Sequence, residues 1–473
     1  MISAALVPVL AAAMLGSFLA VLLAALAFFV ARGLLLDRLV DRVLRRLLKD
    51  PYPENLWDLA VGITRVPPHV LFETELRAET GKLVERPLGG IVRVSDWTAV
   101  AFNPAQLARA PLPPGTPVDT SAVLGPRCAR PLRLELPILV GAMSFGVGVS
   151  KPFAQALARG ARLAGTAYNA GSGPVLPEIT AEADRLILQY TGGSWSRDPG
   201  LLAGADMIEI RLGHGARAAL GRIIPTGRLP AEARQALGVP PGREIVLEAP
   251  VPGASSPAEL RALVERLRRL IRGGPVGVKL AATHDLEQEL TLALAAGVDV
   301  IAIDGSEGGT RESPPIIADD FGLPTLHALV RAAAFLEVVG ARDRVSLVIG
   351  GGLRTPGEIL KALALGADAV YLATTVMMAG THGQLSKAVP FEPVTQLVWA
   401  TGRHAHAYDV DLGARNVASF LRACGEELAE AARALGKKSL REISRRDLIA
   451  RTPEAASMLG LPPSWRPPRH PGS

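Results

Sequence analysis

Cysteine is nearly absent from this 473-residue chain: Cys128 and Cys424 are the only two, far apart in sequence. That excludes a disulfide framework, a cysteine zinc site and a cysteine-ligated iron–sulfur cluster. Aromatic residues make up 4%, too few for a stacking surface that holds single-stranded nucleic acid. Charged residues are 20% against 49% hydrophobic, so a large core is easily buried and global disorder is excluded. The net charge of +6 comes from Arg spread along the chain, which is not a nucleic-acid footprint. No internal repeat is present.

Charge is also missing locally. Met1 to Ala31 carry no charged side chain, and roughly 20 apolar residues span a bilayer. The run predicts a transmembrane helix over 1–32. A cleaved signal peptide would want basic residues ahead of a shorter apolar core, and a buried globular helix is the remaining alternative. Arg32, Arg38, Arg42, Arg45, Arg46 and Lys49 follow the run, which predicts a single-pass protein of the cell membrane with its bulk in the cytoplasm. Residues 33–49 alternate apolar and charged positions with helical period, an amphipathic juxtamembrane helix that Asp50-Pro51-Tyr52-Pro53 ends. Residues 33–130 as a whole make an N-terminal extension, irregular and Pro-rich after 50.

From Leu136 short apolar runs alternate with Ala/Leu-rich helical stretches. The runs are Ile138–Ala142, Gly165–Asn169, Leu186–Tyr190, Met207–Arg211, Val276–Leu280, Val300–Asp304, Ser346–Gly350 and Ala369–Ala373. Between several of them lie helices at Lys151–Leu163, Pro257–Arg272, Asp285–Ala296, Leu323–Val339 and Pro356–Leu365. Eight strands with intervening helices predict an α/β fold, a (β/α)8 TIM barrel over 131–400. An open doubly wound sheet is the runner-up. The extra run Glu244–Ala249 falls in a long excursion after the fourth strand. Residues 401–473 form a C-terminal helical region, with helices at Asp411–Leu435 and Ser439–Ala450 and a Pro/Arg/His-rich tail.

A barrel carries its chemistry at the C-terminal ends of its strands. The first ends in Gly141-Ala142-Met143-Ser144, small enough for a flat ring to approach the backbone. The seventh ends in Gly350-Gly351-Gly352 and the eighth in Ala373-Thr374-Thr375, each before a helix. Two such turns at the seventh and eighth positions make a phosphate site, where one alone is as readily a tight turn. Lys279, at the end of the fifth strand, either faces inward and needs a partner or lies at the rim. His404 and His406 read as an exposed loop, not as a metal pair, and no metal site is expected. Trp399 and Phe391 are expected at the barrel mouth.

These residues resemble the FMN-binding synthase domain of glutamate synthase. The likeness rests on Gly141–Gly146, Ala205–Ile210, Gly277–Leu280, Gly305–Thr310 with Ser313-Pro314, and Ile349–Arg354. The N-terminal apolar helix with Glu75–Arg77 and Glu85–Leu88 resembles stand-alone proteins of the FMN-binding glutamate synthase family. The resemblance implies FMN held by Ala142, Met143, Ser144, Lys279, Gly350, Gly351, Gly352, Ala373, Thr374 and Thr375. It implies reductive amination of 2-oxoglutarate or a related 2-oxo acid to glutamate, with Lys279 and His214 as catalytic residues. Arg211, His214, Arg217, Glu307, Gly308, Gly309 and Thr310 would bind substrate. His214 is either a general acid or an imidazole satisfied by a loop carbonyl. Gly350–Ala367 also resembles 2-hydroxy-acid oxidases and IMP dehydrogenases, whose catalytic His/Arg pair or Cys loop this sequence lacks.

Four stretches depart from the family pattern. Met377–Pro393 stands where the family carries iron–sulfur cysteines, so no iron–sulfur cluster is expected and an electron-donor partner is needed. Asn169–Gly173 replaces Thr-Gly-Glu-Gly, losing a carboxylate. Arg211–Ala219 replaces a Lys-x-x-Gln-Gly-Ala-Lys-Pro-Gly stretch, and Arg is a planar fork where Lys is a point charge. Arg311-Glu312 adds a charge pair within the sixth-strand loop. The alternatives are amine transfer between methylamine and glutamate on the same barrel, and a membrane-anchored flavin-binding protein with little turnover.

Overall fold

The computed structural model describes residues 3–49 and 63–467, apart from Thr226, Arg228, Pro241, Glu248 and Pro250. The helix stop at Asp50–Pro53 and the last residues of the tail lie outside those described. Two compact units divide the chain, Met1–Val84 and Glu85–Ser473. Residues 85–130 and 401–473 belong to the same unit as the barrel.

The first unit holds a helix at Ser3–Lys49, continuous where a membrane span and a juxtamembrane helix were expected. Its stretch Leu15–Arg46 is apolar and long enough to cross a membrane, with mean hydropathy 2.5 in its most apolar window and none of that window buried. A second helix, Pro68–Thr80, ends on Gly81 in the left-handed conformation that a helix C-terminus favours.

The second unit is built on a closed barrel of eight parallel strands, as the alternating pattern predicted. They are β1 (Ile138–Val140), β2 (Tyr168–Asn169), β3 (Leu186–Tyr190), β4 (Met207–Arg211), β5 (Val276–Ala281), β6 (Val300–Asp304), β7 (Ser346–Gly350) and β8 (Ala369–Leu372). Side chains alternate inward and outward along each strand. Leu139, Ala167, Ile187, Met207, Ala302, Val348 and Ala369 point inward and pack one apolar layer, which an antiparallel hairpin (Ala122–Leu124 with Leu132–Leu134) closes from the N-terminal end. Two residues further along, the inward positions turn polar: Asn169, Gln189, Glu209, Lys279 and Tyr371, with Asp304 at the end of β6. The sequence alternation thus places one plugged apolar layer beneath a polar one.

Side chains cap two of the helices that follow barrel strands. Ser150 accepts the Phe153 amide at the head of Lys151–Leu163, and Thr355 accepts the Glu358 amide at the head of Pro356–Ala364. The long helix Val410–Ala434 buries one face against Lys151–Leu163. The second C-terminal helix, expected over Ser439–Ala450, does not form. That stretch holds two 3-10 turns and the strand Leu448–Ala450, which pairs antiparallel with Val100–Phe102. Ser439 and Ser444 cap local turns there, the latter in a capping box with Asp447, so side-chain and ladder bonds outcompete the helical period. The excursion after β4 contains a two-stranded ribbon, Arg222–Ile224 with Ile245–Leu247, which accounts for the extra apolar run.

Candidate active site

At the C-terminal mouth of the barrel lies an open cavity, lined by Gln189 of β3, Arg211 of β4, the loops that follow β1 to β4, and the β6 and β8 loops. Ala142, Met143, Ser144, Arg211, His214, Arg217, Gly309, Thr310, Ala373 and Thr374 line it. Trp399 lines it too, whereas Phe391 stacks with Arg403. Gly308 and Glu307 do not. The Glu307 carboxylate instead accepts the Val94, Ser95 and Thr325 amides and the Ser95 hydroxyl, at 2.6–3.1 Å. It is a clamp that fixes residues 94–95 on the head of helix Thr325–Val338.

Lys279 faces inward and has the partner its burial requires. Its Nζ lies 3.4 Å from Asp304 Oδ2 and 5.2 Å from the Tyr371 ring centroid, with both charged side chains under 10% exposed. Burial alone would raise the Asp304 carboxyl, but the Lys279 ammonium and the Gly215 amide hold it below the usual carboxylate range. Gly215 sits so close to β6 that a Cβ there would meet the Gly305 carbonyl at 2.0 Å, so only glycine fits. Beneath this pair a second buried carboxylate, Glu209, accepts from Asn169 (3.0 Å), Gln189 (2.8 Å) and the Tyr371 hydroxyl (2.9 Å).

His214 approaches Asp304 at 3.7 Å, too long for a hydrogen bond, and its Nδ1 is buried without a partner. Burial pushes its pKa down to about 3, with the neighbouring Lys279, Arg211 and Arg217 adding to the effect against Asp304. An imidazolium general acid is therefore absent at neutral pH; a proton from His214 would come from the neutral ring. The loop carbonyl expected as its partner is not there either. Ala218, which follows the turn Gly215–Arg217, takes a positive φ of 50°, a strained conformation for alanine.

Four guanidiniums line the same cavity. Arg211 Nη1 reaches only the Ser172 hydroxyl, at 3.4 Å. Burial lowers the pKa of Arg211, and Arg217 repels it. Arg217 donates to the Glu312 carbonyl at 2.6 Å. Arg222 donates to the Glu312 carboxylate at 2.7 Å, and Arg311 lies 3.3 Å from its other oxygen. Arg311 also donates to the Val147 carbonyl and the Thr401 hydroxyl, so it ties the β1 and β6 loops to the segment after β8.

The turns after β7 and β8 differ. Gly351 and Gly352 take φ of 114° and 71°, and a Cβ on Gly351 would meet Thr325 Oγ1 at 2.5 Å. The helix behind them is capped by its own side chains: Thr355 accepts from Glu358 N, and Glu358 accepts from Arg354 N. Helix Thr374–Thr381 has no side-chain cap, and Thr375 Oγ1 is buried without a hydrogen-bond partner. The uncapped end after β8 is therefore the better anion cradle of the two. Among the described residues no group of three His, Cys, Asp or Glu side chains could hold a metal.

The sequence pattern pointed to Lys279, Arg211, His214, Arg217 and the β8 turn, and marked Glu312 with Arg311 as a charge pair in the sixth-strand loop; it gave no role to Asp304, Glu209, Asn169, Gln189 or Arg222. A signal for the strand residues was present: each is a polar residue at an inward position near a strand end.

This is a parallel (β/α)8 barrel with a cation-lined cavity at the C-terminal ends of its strands. The conserved region of glutamate synthase matches residues 109–438, and the chain belongs to the glutamate synthase family. It is 30% identical over 421 residues to a glutamate synthase large subunit-like protein of Rhizobium meliloti, covering 84% of this chain and 95% of that one. It is 31% identical over 334 residues to the archaeal-type glutamate synthase [NADPH] of Thermotoga maritima, covering 69% of this chain and 64% of that protein. The match thus leaves about a third of the Thermotoga protein uncovered. Among solved structures, a flavocytochrome b2 variant with benzoylformate shares 17% identity over 80% of each chain, with a TM-score of 0.49.

Proposed function

We propose that the chain is an FMN-dependent, glutamate synthase-like oxidoreductase that reductively aminates 2-oxoglutarate or a related 2-oxo acid. The observation that carries this reading is the junction of two features in one mouth: a cavity walled by guanidiniums, and beside it an uncapped helix end with an orphaned buried hydroxyl, Thr375 Oγ1. Such a hydroxyl and free amides fit a phosphate. Ala142, Met143 and Ser144 leave room for a flat ring, and Lys279 supplies a cation below it. When bound, FMN supplies the hydride that reduces the 2-imino acid.

The chain's own residues do the rest. Arg211 and Arg217 hold substrate carboxylates, each having no carboxylate of its own within ion-pair distance among the described residues. The buried Lys279–Asp304 pair fixes preorganised charges at the C-terminal ends of β5 and β6. Trp399, Met377 and Leu88 exclude water from the mouth. The apolar N-terminal helix anchors the protein in the cell membrane, and the Arg-rich end keeps the barrel in the cytoplasm.

The test is to extract the flavin from purified protein, then add 2-oxoglutarate and ammonium anaerobically to the photoreduced form. Flavin reoxidation with glutamate formation is expected. Flavin that stays reduced would leave a flavin-binding protein with little turnover, the reading favoured by the neutral His214; a colourless protein that takes up no FMN would defeat both.

A further inference from the structure

Three non-glycine residues take a positive φ among the described residues: Leu88 (68°), Ala218 (50°) and Arg272 (52°). Arg272 follows the end of a helix, where that conformation is ordinary. Leu88 and Ala218 both line the cavity, so backbone strain gathers at this site. A left-handed leucine is disfavoured where glycine is free, so what its side chain touches must hold it there. Leu88 is half-buried, packs in part on the barrel's core and lines the mouth with Gly309, Thr310 and Thr374.

Residues 85–95 carry that leucine as a strap, pinned on both sides of it and packed closely between. Before it, Arg86 exchanges two backbone hydrogen bonds with Ser313, at 2.9 and 3.1 Å, and pairs with Asp319. After it, the Ile91 amide donates to Asp319 at 2.9 Å, Arg93 pairs with Glu358 at 2.5 Å, and Glu307 clamps residues 94–95. A Cβ on Gly89 would meet the Gly308 carbonyl at 2.6 Å, and one on Gly90 the Ala318 carbonyl at 2.5 Å. The strap therefore lies flat on the β6 loop and on helix Pro315–Asp320. It precedes residues 109–438, so the region matched to glutamate synthase does not include it.

We propose that Leu88 is a specificity-determining residue of the cavity, a fixed stop that limits the bulk of a ligand's carbon skeleton. The inference rests on the reading that Arg211 and Arg217 receive the carboxylates of a dicarboxylic ligand. Guanidiniums read charge and do not sense branches between the charged ends, whereas an apolar wall discriminates by bulk. A leucine on a slack loop would swing aside for a larger ligand. Here the carbonyls against Gly89 and Gly90 block inward movement, and outward movement breaks the Arg86 and Arg93 ion pairs and the Ser313 bonds. The clash therefore falls on the ligand.

The experiment is calorimetric titration of the detergent-solubilised full chain with glutarate and with 3-phenylglutarate, which carry the same two carboxylates and differ in bulk. Wild-type protein is expected to favour glutarate. Leu88→Ala should move the affinity ratio toward 3-phenylglutarate by roughly tenfold or more, the scale on which an apolar pocket senses added carbon. Leu88→Gly removes the side chain together with its strain and should move the ratio at least as far, which keeps the test alive if the Ala variant does not fold. Leu88→Met, close in volume, should leave the ratio near its wild-type value. A ratio unmoved in a folded Ala or Gly variant that still binds glutarate overturns the role of Leu88 alone, as does a wild-type preference for 3-phenylglutarate. Failure of wild-type protein to bind glutarate overturns the inference together with the carboxylate reading.

Discussion

On the β7–β8 side of the barrel mouth the polar groups belong to the backbone and to small side chains; on the β4–β6 side they belong to four guanidiniums, a lysine and buried carboxylates. The first side is made by chain geometry: positive-φ glycines at Gly351 and Gly352, an uncapped helix start at Thr374 and one orphaned hydroxyl. The second is made by charge placed in a low-dielectric wall, where each cation needs a counter-anion from the protein or from a ligand. Backbone cradles tolerate substitution of the surrounding side chains, whereas charge networks do not. The electrostatic side is thus where stability, pH response and selectivity should concentrate.

The largest expected effect lies in the Lys279–Asp304 pair. Asp304→Asn or Lys279→Met strands a buried charge and should cost about 3–5 kcal/mol of unfolding free energy in denaturant melts. A loss below about 1 kcal/mol would erase the proposed contrast, because surface pairs contribute that little.

Next comes pH. His214 binds its proton only near pH 3 in the folded protein but near 6.5 when exposed. The unfolded state therefore holds more protons between those values, so stability falls as pH drops from about 6.5 toward 3, by a few kcal/mol. Asp304 adds a further loss below its ordinary range, since its folded pKa is depressed and its contribution disappears as the carboxylate is protonated. His214→Gln should flatten the fall in melting temperature between pH 6.5 and 4.5; an unchanged profile would show that His214 is not the group responsible.

Arg211→Met should weaken 2-oxo acid binding by roughly 10- to 100-fold, the worth of a charged hydrogen-bonding partner, with little change in melting temperature. Equal weakening of flavin binding would blur the division between the two sides. The smallest effect belongs to the cradle. Thr375→Val should lower FMN affinity by about 3- to 10-fold, measured by flavin release on dilution, and leave the flavin-free protein as stable as before. Its hydroxyl has no partner to lose in the protein itself.

Much of this was legible in the sequence. All eight barrel strands follow from short apolar runs between helices, because a parallel strand buried on both faces needs such a run wherever it pairs. The excursion after β4 and the β8 turn were legible for local reasons too: an unmatched apolar run, and small residues before a helix. Glu307 was misplaced because its carboxylate is claimed by amides of Val94, Ser95 and Thr325, distant in sequence. Ser439–Ala450 was misread because its strand exists only through pairing with Val100–Phe102.

Local periodicity and spacing, then, determined the barrel and its strand order of appearance. Only the tertiary structure decided which charges meet. Asp304 reaches Lys279 across adjacent strands, Glu312 reaches Arg222 across two loops, and His214 loses its charge through burial among cations. Those outcomes depend on distance and dielectric between residues far apart in the chain, and neither quantity is written in a local pattern.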